Sequence, residues 1–397
     1  MNPALSKSPL HWISCWRVLG RTRWGLPFVG SVLVWVVALV AAQPGQAAST
    51  DDTPELSDKQ VEALCQKREA LQPPPGDLPM PKDIERLRRS PADYYYGFTG
   101  PTDYRLARLG AFAVINGAKG LRMDAYSDQG TEDDVLAMIY ANGYGVPRNI
   151  PLAEKYACHT GVAPLETARR LAHLEAMGTA LARGKKVKPY DTCDDITSGM
   201  SARNCSFITR TLNDKKREIK LGMIGAGMPA KQRAALWNYW KSYKKFVTFY
   251  KEETYPYYTF GSADWANVRL AEEEEDVYDQ FFVQLEDLRK DRVPKVREDE
   301  VEAAESRLNQ EYAQLLTMLQ APCKHLTERQ LEVCEHRPSP QTIRKIERQW
   351  LRYREAALRF AKLYRPQIDP QRIQYWTAIE QTKWLQDLRE AYTLPND

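Results

Sequence analysis

The sequence predicts an all-α protein, and three observations carry that expectation. Apolar residues recur at helical spacing over long stretches. Val301, Leu308, Tyr312, Leu315 and Leu319 form one stripe, and Ile343, Ile346, Trp350, Tyr353, Ala357, Phe360 and Tyr364 step 3-4-3-4-3-4 as a coiled-coil seam. Second, no sustained two-residue alternation, the mark of a half-buried strand, occurs beyond the leader. Third, one phrase is written twice. Trp240-Lys241-Ser242-Tyr243-Lys244 returns 110 residues later as Trp350-Leu351-Arg352-Tyr353-Arg354, and each copy follows a Leu-Asn pair, Leu212-Asn213 or Leu308-Asn309. Leu236 answers to Ile346, Val247 to Ala357 and Tyr250 to Phe360. An apolar seam repeated at one offset marks a duplicated helical module.

Residues 1–48 read as an address label. Lys7, Arg17, Arg21 and Arg23 are the only charged residues before Asp51, and they precede an uncharged run from Leu26 to Ala42. Gly45-Gln46-Ala47 then sets small side chains at −3 and −1 of a cleavage point, which predicts a secretory signal peptide cut near Ala47 and a periplasmic or secreted protein. An uncleaved anchor in the inner membrane stays open, because 17 apolar residues sit at the short edge of a bilayer span. Taking the four leader cations from 56 Lys plus Arg leaves 52, against 52 Asp plus Glu. Such a balance argues against a nucleic-acid partner held by bulk charge.

Cys15 lies in the leader, which leaves six cysteines. An exported chain meets an oxidising compartment, so they are expected to pair. Proximity in sequence pairs Cys193 with Cys205 and Cys323 with Cys334, each worth about 3 kcal/mol in the chain-entropy account, and Cys65 is left for Cys158. The doubled Cys-x-His of Cys323-Lys324-His325 and Cys334-Glu335-His336 is the rival reading, a four-ligand zinc set that would need thiolates instead.

Residues 49–92 form a preface, with a helix around Cys65 and an extended Pro73-Pro74-Pro75 link. Residues 93–190 carry an echo at an offset of 46: Tyr94 matches Tyr140, Gly97 matches Gly143, Pro101 matches Pro147, Asp103 matches Asn149, and Leu106-Ala107 matches Leu152-Ala153. The clearer copy spells helix, turn, helix. Leu136 and Tyr140 share a face, and Gly143 and Gly145 supply the positive-φ freedom that ends the first helix. Asn149 caps the second, with Pro151 in its first turn and Ala153 small enough for close approach. This segment resembles the Sel-like repeat, a relative of the tetratricopeptide repeat. The first copy departs from it at Thr99 and Gly100. Tyr140 and Tyr156 are expected in the core. Beyond residue 339, Ser339 caps a long helix, Pro340 opens it and Pro366 stops it.

The second half resembles the lysozyme inhibitor LprI-like family, exported helical domains with a Leu-Asn-x2-Tyr helix, a Trp-x2-Tyr-Arg-acidic helix and disulfides. Residues 296–392 offer Leu308-Asn309-x2-Tyr312, Trp350-x2-Tyr353-Arg354-Glu355 and a closing Gln381-Thr382-x2-Leu385, but have Leu358 where a cysteine is often found. Residues 191–295 offer Cys193-x3-Thr197-Ser198-x6-Cys205, Leu212-Asn213, Trp240 and Tyr243, with Lys244 and Lys245 replacing the arginine and the acid. Leu212 to Trp240 spans 28 residues and Leu308 to Trp350 spans 42, the difference being the insert that bears Cys323 and Cys334.

Trp240, Tyr243, Trp350 and Tyr353 lie on the seam, so packing is their expected role. Arg354 and Glu355 sit beside it as a clamp between helices or a contact for a partner. The run Glu272 to Asp276 reads first as a solvated helix face, and second as a surface for a basic protein. No nucleophile elbow, His-Glu-x2-His, phosphate loop or cofactor motif is present, so a non-enzyme without cofactor is expected. The family likeness implies a protein partner, a lysozyme or other cell-wall hydrolase that the chain binds and inhibits. The alternative is a non-inhibitory scaffold of the envelope.

Overall fold

The computed structural model describes residues 56–118, 132–254 and 263–393. The expected signal peptide and its cleavage point lie outside them. Fourteen α-helices account for most of the described chain, and no strand occurs among the described residues. The all-α expectation holds. No helix among the described residues is long and apolar enough to cross a membrane.

The first seven helices are α1 (Asp58–Glu69), α2 (Pro81–Ile84), α3 (Pro91–Tyr96), α4 (Tyr104–Ile115), α5 (Glu132–Asn142), α6 (Ile150–Ala157) and α7 (Pro164–Ala182). Helix α3 ends at Gly97 (φ 72°) and α5 at Gly143 (φ 71°), the left-handed conformation that lets the chain reverse. The echo at 46 extends to single hydrogen bonds. Asp103 N donates to Tyr94 O at 2.8 Å, and Asn149 N to Tyr140 O at 2.9 Å. The caps repeat too: Leu106 N donates to Asp103 Oδ1 at 2.9 Å, and Leu152 N to Asn149 Oδ1 at 3.1 Å. Tyr140 and Tyr156 stack inside the core, with ring centroids 5.8 Å apart.

The two glycines differ in their surroundings. A Cβ on Gly97 would stand 2.9 Å from Thr102 Oγ1 and 3.0 Å from Gly100 O, whereas one on Gly143 would meet Arg148 Cβ and N at 3.3 Å. Gly143→Val is therefore expected to destabilise by about 1–2 kcal/mol, through positive φ on a β-branched residue, and Gly97→Val by more because its neighbours, the Gly100 carbonyl included, stand closer. Urea unfolding of the two variants checks the order.

The preface is more than a linker. Helix α1 has no fully buried residue, yet it is bolted to α6 by Cys65–Cys158, by Arg68 Nε to Glu154 Oε2 at 2.5 Å, and by Lys155 Nζ to Leu71 O at 2.7 Å. After the proline stretch, Asp77 accepts from Tyr140 Oη at 2.8 Å, and Leu87 enters the same core as Leu136 and Leu171. The stretch expected as preface and link thus closes one side of the helical array.

The remaining helices are α8 (Gly199–Gly225), α9 (Ala230–Thr254), α10 (Ala263–Arg289), α11 (Glu298–Gln320), α12 (Glu328–Glu335), α13 (Pro340–Tyr364) and α14 (Pro370–Ala391). Each copy of the duplicated phrase is the middle helix of an up-down-up trio, α8-α9-α10 and then α11-α13-α14. The short α12 fills the insert between Leu308 and Trp350. Helix α13 starts as expected, with the Ser339 side chain accepting from Thr342 N at 3.1 Å and Pro340 in its first turn, and it ends at Tyr364.

The two trios do not keep separate cores. Their apolar faces merge into one cluster running from Leu221 to Tyr392. Helices α9 and α13 pack antiparallel at its centre: Tyr239 stacks on Phe360 at 5.8 Å, and Phe246 on Tyr353 at 5.9 Å. Tyr243 and Tyr353, equivalent at the 110-residue offset, meet each other at 5.0 Å. An antiparallel pair in which equivalent residues meet is the geometry of a two-fold, isologous interface. The modules therefore pack like the subunits of a dimer joined into one chain.

Candidate functional site

The seam residues are core. Trp240, Trp350 and Tyr353 are 1% exposed and Tyr243 is 0% exposed, so no partner can reach their rings. Their polar ends point inward as well. Tyr243 Oη donates to Val277 O at 3.0 Å, and Tyr353 Oη donates to Glu380 Oε2 at 3.0 Å.

Arg354 is a clamp within the fold. Its guanidinium leaves α13 and grips Glu305 of α11 with both Nη atoms, the Nη1 contact being 3.3 Å, and lies 5.2 Å from the centre of the Trp350 ring. The first copy does the same with other residues: Lys244 of α9 pairs with Asp214 of α8. An arginine or a lysine at this position thus ties the middle helix to the first helix of its trio. Glu355, one residue on, lies on the exposed side of α13.

The acidic run is solvated only in part, with Glu272 and Asp276 exposed and Glu274 buried between them. Four of its five members are engaged within the protein. Glu272 pairs with Arg269 at 2.9 Å, Glu273 with Lys251 at 2.6 Å, Glu274 with Arg210 at 3.1 Å, and Glu275 with Arg217 at 2.9 Å. Glu274 is 1% exposed. Glu273, Glu274 and Glu275 tie α10 to α9 and α8, because α8 offers Arg210 and Arg217 seven residues apart on the facing side, while the Glu272 pair stays within α10. That leaves little of it to attract a basic protein.

All three expected cysteine pairs are bonded: Cys65–Cys158, Cys193–Cys205 and Cys323–Cys334. Sulfurs joined to each other offer no thiolate to zinc, which removes the rival reading of the Cys-x-His pair. His336 Nδ1 lies 2.8 Å from Glu332 O, within its own helix turn.

The bundle centre holds a polar group that sequence reasoning missed. Glu380 of α14 takes Tyr353 Oη on one oxygen and Gln284 Nε2, at 2.7 Å, on the other. Burial pushes its carboxyl up to about 7 against the pull of both hydrogen bonds. Glu347 of α13 is likewise raised by burial to about 7, while Gln381 and Arg354 draw it down. Both glutamates are fold-stabilising when protonated. That contribution is complete below the ordinary glutamate range and disappears as pH rises through about 7, at roughly 2 kcal/mol per carboxyl once partial solvent access is allowed for. The bundle is expected to unfold at a higher urea concentration at pH 5 than at pH 8. Glu347→Gln/Glu380→Gln should flatten much of that difference, and an unchanged pH profile in the double variant would count against the assignment.

A second cluster lies where the array meets α8. Arg170 is buried between Asp134, at 2.7 Å, and Glu166, at 2.8 Å, and Glu166 also accepts from Thr197 N and Ser198 N. A cleft of about 200 Å³ opens beside it, lined by Tyr96, Met138, Asn204 and the Cys193–Cys205 bridge. His173 Nδ1 lies 3.1 Å from Asp195 and ties α7 to the 3-10 turn at Thr192–Asp195. The Arg170 pairs brace α7 against α5, while the Glu166 contacts to Thr197 N and Ser198 N and the His173–Asp195 pair join the array to the start of α8.

No protein-family model, curated protein or solved structure matches the chain.

Proposed function

We propose that this is an exported, non-catalytic binding protein of the cell envelope, of the lysozyme inhibitor LprI-like type, which engages a cell-wall hydrolase through the insert of its second module. Three disulfides suit an oxidising compartment. The observation that carries the reading is the insert itself. The first trio joins α8 to α9 through the short stretch 226–229, while the second spends residues 321–339 on the same step.

That excursion is exposed along most of its length, including Lys324, His325, Arg329 and Leu331, and it is braced from within. Cys323–Cys334 closes it, Arg337 Nη1 donates to Met318 O at 3.2 Å, and His325 sits in the left-handed region at φ 56°. A rigid loop loses less entropy on docking than a floppy one, which favours its use as a recognition element. Arg354 and the seam are committed to the fold, so the contact is assigned to the helix ends.

The test is lysozyme turnover of cell walls with the mature protein in molar excess, alongside a sizing column. Turnover should fall with stoichiometry, and a complex burying on the order of 1,600 Å² should elute. Replacing 321–338 with a short Gly-Ser turn should keep the helix content and weaken the complex by about tenfold or more. An unchanged rate with no complex defeats the inhibitor reading. A complex without inhibition leaves the envelope scaffold.

A further inference from the structure

The outer face of α13 is basic in a way the fold does not require. Arg344, Arg348, Arg352, Arg359 and Lys362 are spaced to lie on one side of the helix, with Lys345 at its edge, and all six are exposed. None of them is in an ion pair among the described residues; Arg352 donates to Gln349 at 3.4 Å. Glu355 is the one acid within this face. The stripe runs about 27 Å along the axis at the rise of an α-helix.

Two arguments separate it from an ordinary solvated face. Exposed helices gain from opposite charges four residues apart and lose from like ones. Arg344-Arg348-Arg352 sets two like-charged pairs in a row, a small but needless penalty. The duplication supplies the internal control. At the same offset α9 carries Ala234, Asn238, Ser242, Phe249 and Glu252, and it packs in the same bundle without the cations. None of those five α9 positions carries a cation, and Phe249, where α13 has the exposed Arg359, packs half-buried against the core.

We infer that the exposed face of α13 is a docking strip for a linear acidic polysaccharide, whose carboxylates the four arginines engage through their forked N–H pairs. The strip is one helix wide. The clamp between Arg354 and Glu305 places the first half of α11 alongside, and that half exposes Glu298 and Glu302, with Asp299 paired to Arg297 at 2.9 Å. A flat anionic bilayer or a broad duplex would press on those acids as well, whereas a single polymer chain can follow the cations. Acidic glycans are also the linear polyanions native to the oxidising compartment that the disulfides suit. The inference is independent of the hydrolase reading and of the insert.

The test titrates the full mature protein with polygalacturonate, with neutral dextran as a blank, across a salt series. Arg344→Gln/Arg348→Gln/Arg352→Gln should weaken binding at least ~10-fold and lower the dependence on log salt by about 2–3. Arg359→Gln/Lys362→Gln at the other end should give a smaller loss in the same direction. Arg183→Gln/Lys185→Gln/Lys186→Gln removes three exposed cations elsewhere and should change affinity less than ~2-fold. Thermal midpoints should hold or rise in the α13 variants as like charges are removed. Equal losses in both triple variants would reduce the effect to bulk charge and overturn the proposal. So would no binding to polygalacturonate, or tighter binding to single-stranded DNA or to anionic vesicles at equal charge.

Discussion

Trp350→Ala is expected to destabilise the bundle by about 3–5 kcal/mol, the range for emptying a large aromatic site in a packed core. The residue is 1% exposed on α13, within the cluster that both modules share. Nothing nearby can collapse into the space without moving a helix that also serves the other module. Trp350→Phe should be far milder, near 1 kcal/mol, for two opposing reasons. It loses volume, but it also removes an indole Nε1 that is buried without a hydrogen-bond partner among the described residues, and such a group is costly to hide. Leu351→Ala, one residue on and 48% exposed, should stay within about 0.5 kcal/mol. Urea unfolding followed by tryptophan fluorescence and circular dichroism measures all three. Similar midpoints for Trp350→Ala and Leu351→Ala would mean the seam is not the bundle's core.

The seam was legible because helix periodicity is a local property, and a duplicated stripe states it twice. The turn chemistry at Gly143 and Asn149 was legible for the same reason, since one residue in the left-handed region and one cap settle a reversal. The cysteine pairs followed from spacing and compartment. What sequence could not show is how the two trios meet. Tyr243 and Tyr353 face each other only because α9 and α13 cross antiparallel, and that choice is made by surfaces more than a hundred residues apart. The Glu380 network was invisible on the same grounds, since Glu380, Tyr353 and Gln284 come from three helices and both modules. The inward-turned middle of the acidic run, Glu273 to Glu275, was not legible because charge alone does not tell which way a helix face turns. Arg210 and Arg217, spaced seven apart on α8, were the available signal. Arg354 could be placed beside the seam, but its acceptor, Glu305, could not be chosen from the many acids of α11.

Cys65→Ala/Cys158→Ala should have the largest effect among the disulfides. The bond spans 93 residues, against 12 and 11 for the others. In the chain-entropy account the long loop is worth about 4–5 kcal/mol, and each short one about 3 kcal/mol. Local packing argues in the same direction. Helix α1 carries no fully buried residue, so without the bond it is held by the half-buried Val61 and Leu64 against the core, by Arg68 on Glu154, by Lys155, and by the exposed His159–Glu69 contact. An exposed pair such as His159–Glu69 contributes little. The loop encloses α2 to α6 of the helical array and stops short of α7 and the bundle, which makes the two halves separable by spectroscopy. Every tryptophan beyond the leader lies at residue 237 or later, so tryptophan fluorescence reports the bundle alone while far-ultraviolet circular dichroism reports both. Under non-reducing conditions the variant should show an early dichroism transition at lower urea and an unshifted fluorescence midpoint, with proteolytic nicking concentrated near residues 56–72. Should the fluorescence midpoint fall by as much as the dichroism one, the array and the bundle unfold as a single cooperative unit, and the bond stabilises both through the contacts of Glu166 with Thr197 and Ser198 and of His173 with Asp195 that join them.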